Sequence, residues 1–157
     1  MSELKREIIT GDDREKTSTA LQGTLYDLID LALQGKQAHW NVVGRQFRSV
    51  HLELDEIIAS VREASDEVAE RIATLGVSPD GRASVVGENS RLEAFPDGLQ
   101  STDATVTTYS DRLASAIKGL REGIEVVGSH DPISEDLLIG VAATLEKHLW
   151  MLQAQEV

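Results

Sequence analysis

The feature that most constrains this chain is a long apolar stripe in its second quarter. Nine apolar side chains recur at steps of three or four residues: Phe47, Val50, Leu54, Ile57, Val61, Ala64, Val68, Ile72 and Leu75. That spacing places them on one face of an α-helix. The three prolines, Pro79, Pro96 and Pro132, leave long stretches free of helix breakers. The sequence therefore predicts an all-α protein built from long helices.

The same periodicity marks three further helices, which glycines and an Asp-Pro step separate. The link after the second helix is about 25 residues long, and a short helix within Ser84–Leu92 is predicted inside it, since long structureless links are rare in compact domains. Four helices with one long central crossover form a four-helix bundle of the ferritin-like kind. Residues 1–11 are aperiodic and predict a mobile N-terminal arm before a single domain at 12–157, with helices at about 12–41, 46–75, 101–128 and 131–156.

Composition excludes several classes of protein. The 157 residues include no cysteine, so disulfides, zinc-thiolate sites, iron–sulfur clusters and cysteine nucleophiles are absent. A formal net charge of −12 argues against a protein that binds nucleic acid through its net charge, and it favours the attraction of cations. No apolar run approaches the roughly 18–20 residues of a membrane span, and the start lacks a signal-peptide pattern. A cytoplasmic location without membrane contact is expected.

The second helix carries a second, polar face. The pairs His51/Asp55 and Asp66/Glu70 each have i, i+4 spacing, and the four residues share a stripe roughly 150° away from the core stripe. His51 and Asp66 are about 22 Å apart along the helix axis, so one copy cannot bring both pairs to one metal ion. Two antiparallel copies about a two-fold axis can, giving two equivalent sites per dimer. Small residues on this face would allow close approach: Ala59, Ala69 and Ala73.

A third potential ligand precedes the turn between the first two helices. The short turn at 42–45 could fold His39 back towards His51, which completes a predicted site of five residues: His39, His51 and Asp55 from one subunit with Asp66 and Glu70 from its partner. Carboxylates with imidazoles suit iron(II) or manganese, with zinc as a competitor. The alternatives are a solvated acidic face and a core or interface histidine at His39. Trp40 either packs or quenches oxidising species beside a metal.

The residues around this site resemble a known family. The run Lys36–Gly44 (KQAHWNVVG), Phe47, and His51 four residues before Asp55 resemble the signature of the Dps family of mini-ferritins, named as DNA-binding proteins from starved cells. The similarity continues through Asp66–Gly76 (DEVAERIATLG), and Glu146–Met151 resembles the family's last helix. It is strong over about residues 20–76.

The resemblance implies an iron-storage and detoxification protein. It implies a homo-oligomer, a hollow dodecamer, with an intersubunit ferroxidase centre at the five residues above. The enzyme would oxidise Fe(II), typically with hydrogen peroxide, bind non-haem iron between subunits, and store ferric mineral inside, thereby protecting against oxidative stress. In this family acidic residues near the start of the last helix line iron-entry pores, which makes Asp131, Glu135 and Asp136 the pore candidates.

The sequence departs from DNA-binding members of the family. Those members use a lysine-rich arm or a basic tail, whereas residues 1–16 carry four basic against five acidic side chains and the sequence ends Gln155-Glu156-Val157. Because counterion release needs several cations free of neighbouring acids, DNA binding is doubtful. A DNA-binding, nucleoid-protecting protein and a metal-dependent hydrolase at the same site are the alternative functions. No sequence feature names a substrate for the hydrolase.

Overall fold

The computed structural model describes residues 6–156 and shows four long helices with a fifth, short one between them. In chain order the elements are α1 Gly11–Asn41, β1 Val42–Val43, α2 Phe47–Thr74, α3 Ala83–Asn89, β2 Gln100–Ser101, α4 Thr102–Gly128 and α5 Pro132–Gln153. The predicted all-α bundle with a long crossover that contains a short helix is confirmed. Among the described residues, no helix combines the length and the apolar run that crossing a bilayer requires.

The crossover carries the chain back to the end of the bundle where α2 began. β1 and β2 pair in parallel, with Val42 opposite Gln100 and Val43 opposite Ser101. This short pair joins the turn after α1 to the start of α4, so α2 and α4 begin at the same end and run in the same direction. Helix α1 packs against α2 and α4, and α5 packs against α4 and α2. The sequence did not predict the two extended segments.

The apolar stripes meet in one core that runs the length of the bundle. All members of the α2 stripe from Val50 to Leu75 are buried, and Phe47 at its start is exposed. The largest fully buried side chain is Tyr109 of α4, whose hydroxyl donates to the carbonyl of Leu31 at 3.1 Å. This bond satisfies the one polar atom of the ring inside the core.

Buried polar contacts fasten the crossover to α1. The Asp27 carboxylate is 2% exposed and accepts from the backbone N, Nε and Nη2 of Arg91 at 2.9, 2.8 and 2.6 Å. One residue earlier, Ser90 donates to Asp30 at 2.5 Å. A buried carboxylate needs such donors, because an unpaired charge in the interior is costly. The link is therefore held at a fixed position despite its length.

The ends of the chain differ in part from the sequence expectation. Helix α5 ends at Gln153, three residues before the expected end at 156. Residues 1–5 of the predicted mobile arm, and Val157, lie outside the described residues. At the end of the predicted arm, Glu7 accepts from Arg14 of α1 at 2.6 Å.

Candidate metal centre

The turn between α1 and α2 places His39 directly against His51. Gly44 makes the turn possible, because its φ of +137° is a conformation that side chains with a Cβ rarely adopt. A Cβ at Gly44 would also lie 3.1 Å from Oγ1 of Thr102, at the start of α4. The two imidazole rings stack with centroids 3.6 Å apart and an interplanar angle of 21°. The predicted return of His39 towards His51 is what the turn produces.

The two histidines hold each other through reciprocal hydrogen bonds. Nδ1 of His39 lies 2.9 Å from the carbonyl of His51, and Nδ1 of His51 lies 2.9 Å from the carbonyl of His39. A carbonyl oxygen only accepts, so both Nδ1 atoms carry the proton and donate. In each neutral ring the free lone pair is then on Nε2. A hydrogen bond that fixes the tautomer in this way is the usual partner of a metal-binding imidazole.

Asp55 lies beside the histidine pair, one turn further along α2. Its Oδ1 is 3.4 Å from Nδ1 of His39 and 2.5 Å from Nζ of Lys36 on α1. The Lys36 hydrogen bond is the main cause that lowers the pKa of Asp55 below its usual value, assisted by the nearby histidines and opposed by partial burial. The carboxylate is therefore ionised at neutral pH. Three of the five predicted ligands, His39, His51 and Asp55, therefore lie close together within a single chain.

Asp66 and Glu70 are not part of this cluster within one chain. Both are exposed on α2, beyond the middle of the helix. The helix rise separates His51 from Asp66 by about 22 Å. Within residues 6–156 of a single chain, no three histidine and carboxylate side chains converge in a way that could hold a metal ion. The five-residue site shared between subunits thus stays a prediction.

Two exposed aromatic residues lie near the histidine pair, one as a sequence neighbour and one in contact with a ring. Trp40, next to His39, is 70% exposed, and Phe47 lies 4.9 Å from the His51 ring while remaining 43% exposed. Sequence reasoning missed the contacts of Phe47 and Lys36 with the site residues. The signals that could have found them are spacings: Phe47 is one turn before His51, and Lys36 is three residues before His39, on the same helix face.

The three pore candidates differ in accessibility. Asp131 is 4% exposed, and its Oδ2 accepts from Ser134 and, at 2.7 Å, from Arg71 of α2. Burial raises the pKa of Asp131, but these hydrogen bonds outweigh it and the pKa is lowered overall. Such a carboxylate ties α5 to α2 and is poorly placed to meet a passing ion. Asp136 is exposed and Glu135 is half-buried, and their pore role stays a prediction.

Comparisons with known proteins agree on one family. A family model described as a ferritin-like domain matches residues 18–156. The DNA protection during starvation protein of Mycolicibacterium smegmatis is 37% identical over 134 residues, covering 85% of this chain and 73% of the relative. The protein of that name numbered 2 in Deinococcus radiodurans is 33% identical over 143 residues, which are 91% of this chain and 59% of the relative.

Two further similarities bear on what such a chain can do. The fine tangled pili major subunit of Haemophilus ducreyi is 42% identical over 135 residues, covering 86% of this chain and 71% of the relative. The solved structure of Dps from Microbacterium arborescens in the high iron form superposes with a TM-score of 0.90 at 27% identity, covering 96% of this chain and 98% of that one. The relatives of this chain thus include both a pilus subunit and a Dps protein.

Proposed function

This chain belongs to the Dps family of ferritin-like proteins, and from that premise we propose that it is an iron-storage and detoxification protein. In this proposal it is a ferroxidase that oxidises Fe(II) with hydrogen peroxide and deposits ferric mineral inside a hollow dodecamer. Hydrogen peroxide accepts two electrons, one from each of two Fe(II) ions, and with two protons its O–O bond is cleaved to give two water molecules. Both reagents of hydroxyl-radical chemistry are consumed together.

The observation that carries the proposal is the histidine pair. The reciprocal hydrogen bonds leave Nε2 of His39 and of His51 as the free lone pairs, and the ionised carboxylate of Asp55 lies 3.4 Å from Nδ1 of His39. Two imidazoles and carboxylate oxygens are a ligand set suited to iron. The structure of a relative described as a high iron form supports the same metal.

The missing carboxylates are proposed to come from a second copy. In an antiparallel pair of α2 helices, Asp66 and Glu70 of each copy would face the histidine pair of the other. On this face Ala59 is exposed between the two ligand pairs, Ala69 is half-buried beside Glu70, and Ala73 is exposed one turn beyond Ala69. Side chains this small allow two helices to approach closely. The dimer would hold two equivalent sites, and six dimers would make the dodecamer.

Subunit mixing tests the shared site directly. The variants His51→Ala and Asp66→Ala should each lose rapid peroxide-dependent formation of ferric absorbance. In a mixed dimer of the two, one site has lost both residues and the other is intact. With random pairing half of the dimers are mixed, so an equal mixture should recover about a quarter of the wild-type rate. A site contained in one chain would recover nothing, and that result would overturn the shared arrangement.

A second mixture provides the matched control. Wild type co-assembled with the double variant His51→Ala/Asp66→Ala should give about a quarter of the wild-type rate if sites are shared between subunits, because only wild-type pairs have intact sites. It should give about half if each site lies within one chain. Equal rates for the wild type and the double variant alone would refute the ferroxidase proposal. Solution mass should match twelve chains of 17.1 kDa, about 205 kDa.

The relatives named for DNA protection raise a second candidate function. We infer that this chain does not hold DNA through its overall field, because its formal net charge is −12 and twelve copies multiply that charge. A gel-shift measurement with plasmid at low ionic strength should show no retardation. Retarded plasmid under those conditions would restore DNA binding as a function.

A further inference from the structure

We propose that Lys36 is a resident counter-cation of the metal site, which weakens the binding of metal ions there and opposes trivalent ions more than divalent ones. The inference rests on the proposed function, because it concerns the affinity of the same site. It assigns a role to a residue that the five-ligand site does not include. Lys36 would act through Asp55, because it lowers the negative charge of the site without binding the metal.

The geometry places the Lys36 ammonium on one of the proposed metal ligands, the Asp55 carboxylate. Lys36 is on α1, three residues before His39, so both side chains project from the same helix face towards α2. Its Nζ lies 2.5 Å from Oδ1 of Asp55, the same oxygen that lies 3.4 Å from Nδ1 of His39. The Lys36 side chain is 23% exposed, so most of it is packed against the protein. A charge held in this way is screened less than one on a fully extended surface side chain.

An incoming metal ion must either displace the ammonium from Asp55 or share the carboxylate with it. In both cases the lysine charge opposes the metal. The proposed site has three carboxylates, from Asp55, Asp66 and Glu70, and Lys36 reduces their formal charge from −3 to −2. Fe(II) neutralises that charge, whereas Fe(III) leaves a surplus of one positive charge. The lysine thus disfavours retention of the oxidised product at the site where it forms.

A structural role for Lys36 would have the opposite consequence. If the lysine mainly held the Asp55 carboxylate in the orientation that metal binding needs, its removal would weaken binding. That loss would have no systematic dependence on the charge of the metal. The two roles therefore differ in the sign of the change and in its dependence on ionic charge.

The experiment measures metal affinity in the assembled protein by calorimetric titration, with Fe(II) under anaerobic conditions and with the redox-inert ion Tb(III). Lys36→Met retains most of the side-chain length and removes the charge, and Lys36→Arg restores the charge. Lys118→Met is the matched control, since Lys118 is exposed on α4 and its loss changes the net charge by the same amount. Circular dichroism and solution mass check that each variant is folded and assembled.

We expect Lys36→Met to bind Fe(II) about fivefold more tightly than wild type, as befits a partly exposed ion pair, and to gain more for Tb(III). Lys36→Arg and Lys118→Met should remain close to wild type. Unchanged or weaker binding by Lys36→Met, or an equal gain in Lys118→Met, would overturn the inference. If Lys36→Met binds metal and wild type does not, the inference about Lys36 is supported and the proposed function of the wild type is refuted. If neither protein binds metal, the inference and the proposed function are both overturned.

Discussion

Gly35 is the position where the core and the metal site are most sensitive to a single methyl group. It lies on α1, one residue before Lys36 and four before His39, where α1 meets both α2 and α4. A Cβ there would be 2.6 Å from the hydroxyl of Tyr109 and 2.7 Å from Cγ1 of Ile58. Both distances are well inside van der Waals contact, so one of the three helices must shift in Gly35→Ala.

The structure gives the size of the effect. Alanine gains about 1 kcal/mol over glycine in a helix interior. Against this, overpacking a close-packed core costs about 1–3 kcal/mol. Displacing Tyr109 also breaks the hydrogen bond from its hydroxyl to Leu31, which leaves a buried polar atom unpaired at a cost of about 1–3 kcal/mol. The net expectation is a loss of about 1–5 kcal/mol, which lowers the melting temperature by roughly 2–20 °C.

The assay is thermal unfolding followed by circular dichroism, at equal subunit concentration because an oligomer's melting temperature depends on it. Gly23→Ala is the matched control, since Gly23 lies on the same helix and a Cβ there meets no atom within 4 Å. That variant should melt at or slightly above the wild-type temperature, because it gains only helix propensity. Tyr109→Phe removes the hydroxyl that lies closest to the added Cβ. It should therefore lower the melting temperature less in the Gly35→Ala background than in the wild-type background.

The ferroxidase rate provides a second readout for the same variant. A shift of α1 away from α2 would separate His39 from His51, so Gly35→Ala should also lower the rate at temperatures where the protein remains folded. A Gly35→Ala protein that melts at or above the wild-type temperature would refute the packing argument. So would an equal loss of stability in Gly23→Ala.

Three further predictions concern contacts elsewhere in the fold. Arg91→Met should destabilise the protein by about 2 kcal/mol in thermal unfolding, since it leaves the buried Asp27 carboxylate with the backbone donor alone; an unchanged melting temperature would contradict this. Arg71→Met should lower the free energy of unfolding at pH 7, and it should lower it by less at pH 3; unfolding measured at each pH checks this. The pKa of Asp131 is lowered in the folded state, so its contribution is present above the unfolded value of 3.8 and is lost as pH falls through the folded one. A difference in unfolding free energy between wild type and variant that is larger at pH 3 than at pH 7 would contradict this prediction. Iron binding should quench the fluorescence of Trp40 beside His39, so Trp40→Phe should lose most of the quenching, and equal quenching in both proteins would place the metal elsewhere.

Much of the site was within reach of sequence reasoning because it lies on helices. A helix fixes the angle and the rise between its residues, so the spacing of His51, Asp55, Asp66 and Glu70 alone placed them on one face and separated the two pairs by about 22 Å. The same regularity predicted the bundle and its crossover. The shared site itself needs a second copy of the chain and stays a prediction.

Contacts between residues distant in sequence could not be predicted in this way. By its local sequence Asp131 is an ordinary acidic residue at the start of a helix, yet in the structure it is buried and pairs with Arg71, sixty residues earlier. The ion pair of Asp27 with Arg91 is equally non-local. No periodicity encodes such pairings, because they depend on how the crossover passes over the bundle.

By itself the sequence determined the helices, the polar face of α2 and the set of candidate ligands, since each of these follows from local spacing along one helix. Only the tertiary structure decided which nitrogen of each histidine is free to bind a metal and that Lys36 forms an ion pair with Asp55. Those features depend on the turn at Gly44, which sets α1 against α2 within hydrogen-bond distance. Hydrogen bonds are decided by tenths of an ångström, and helical periodicity specifies positions only to within a turn.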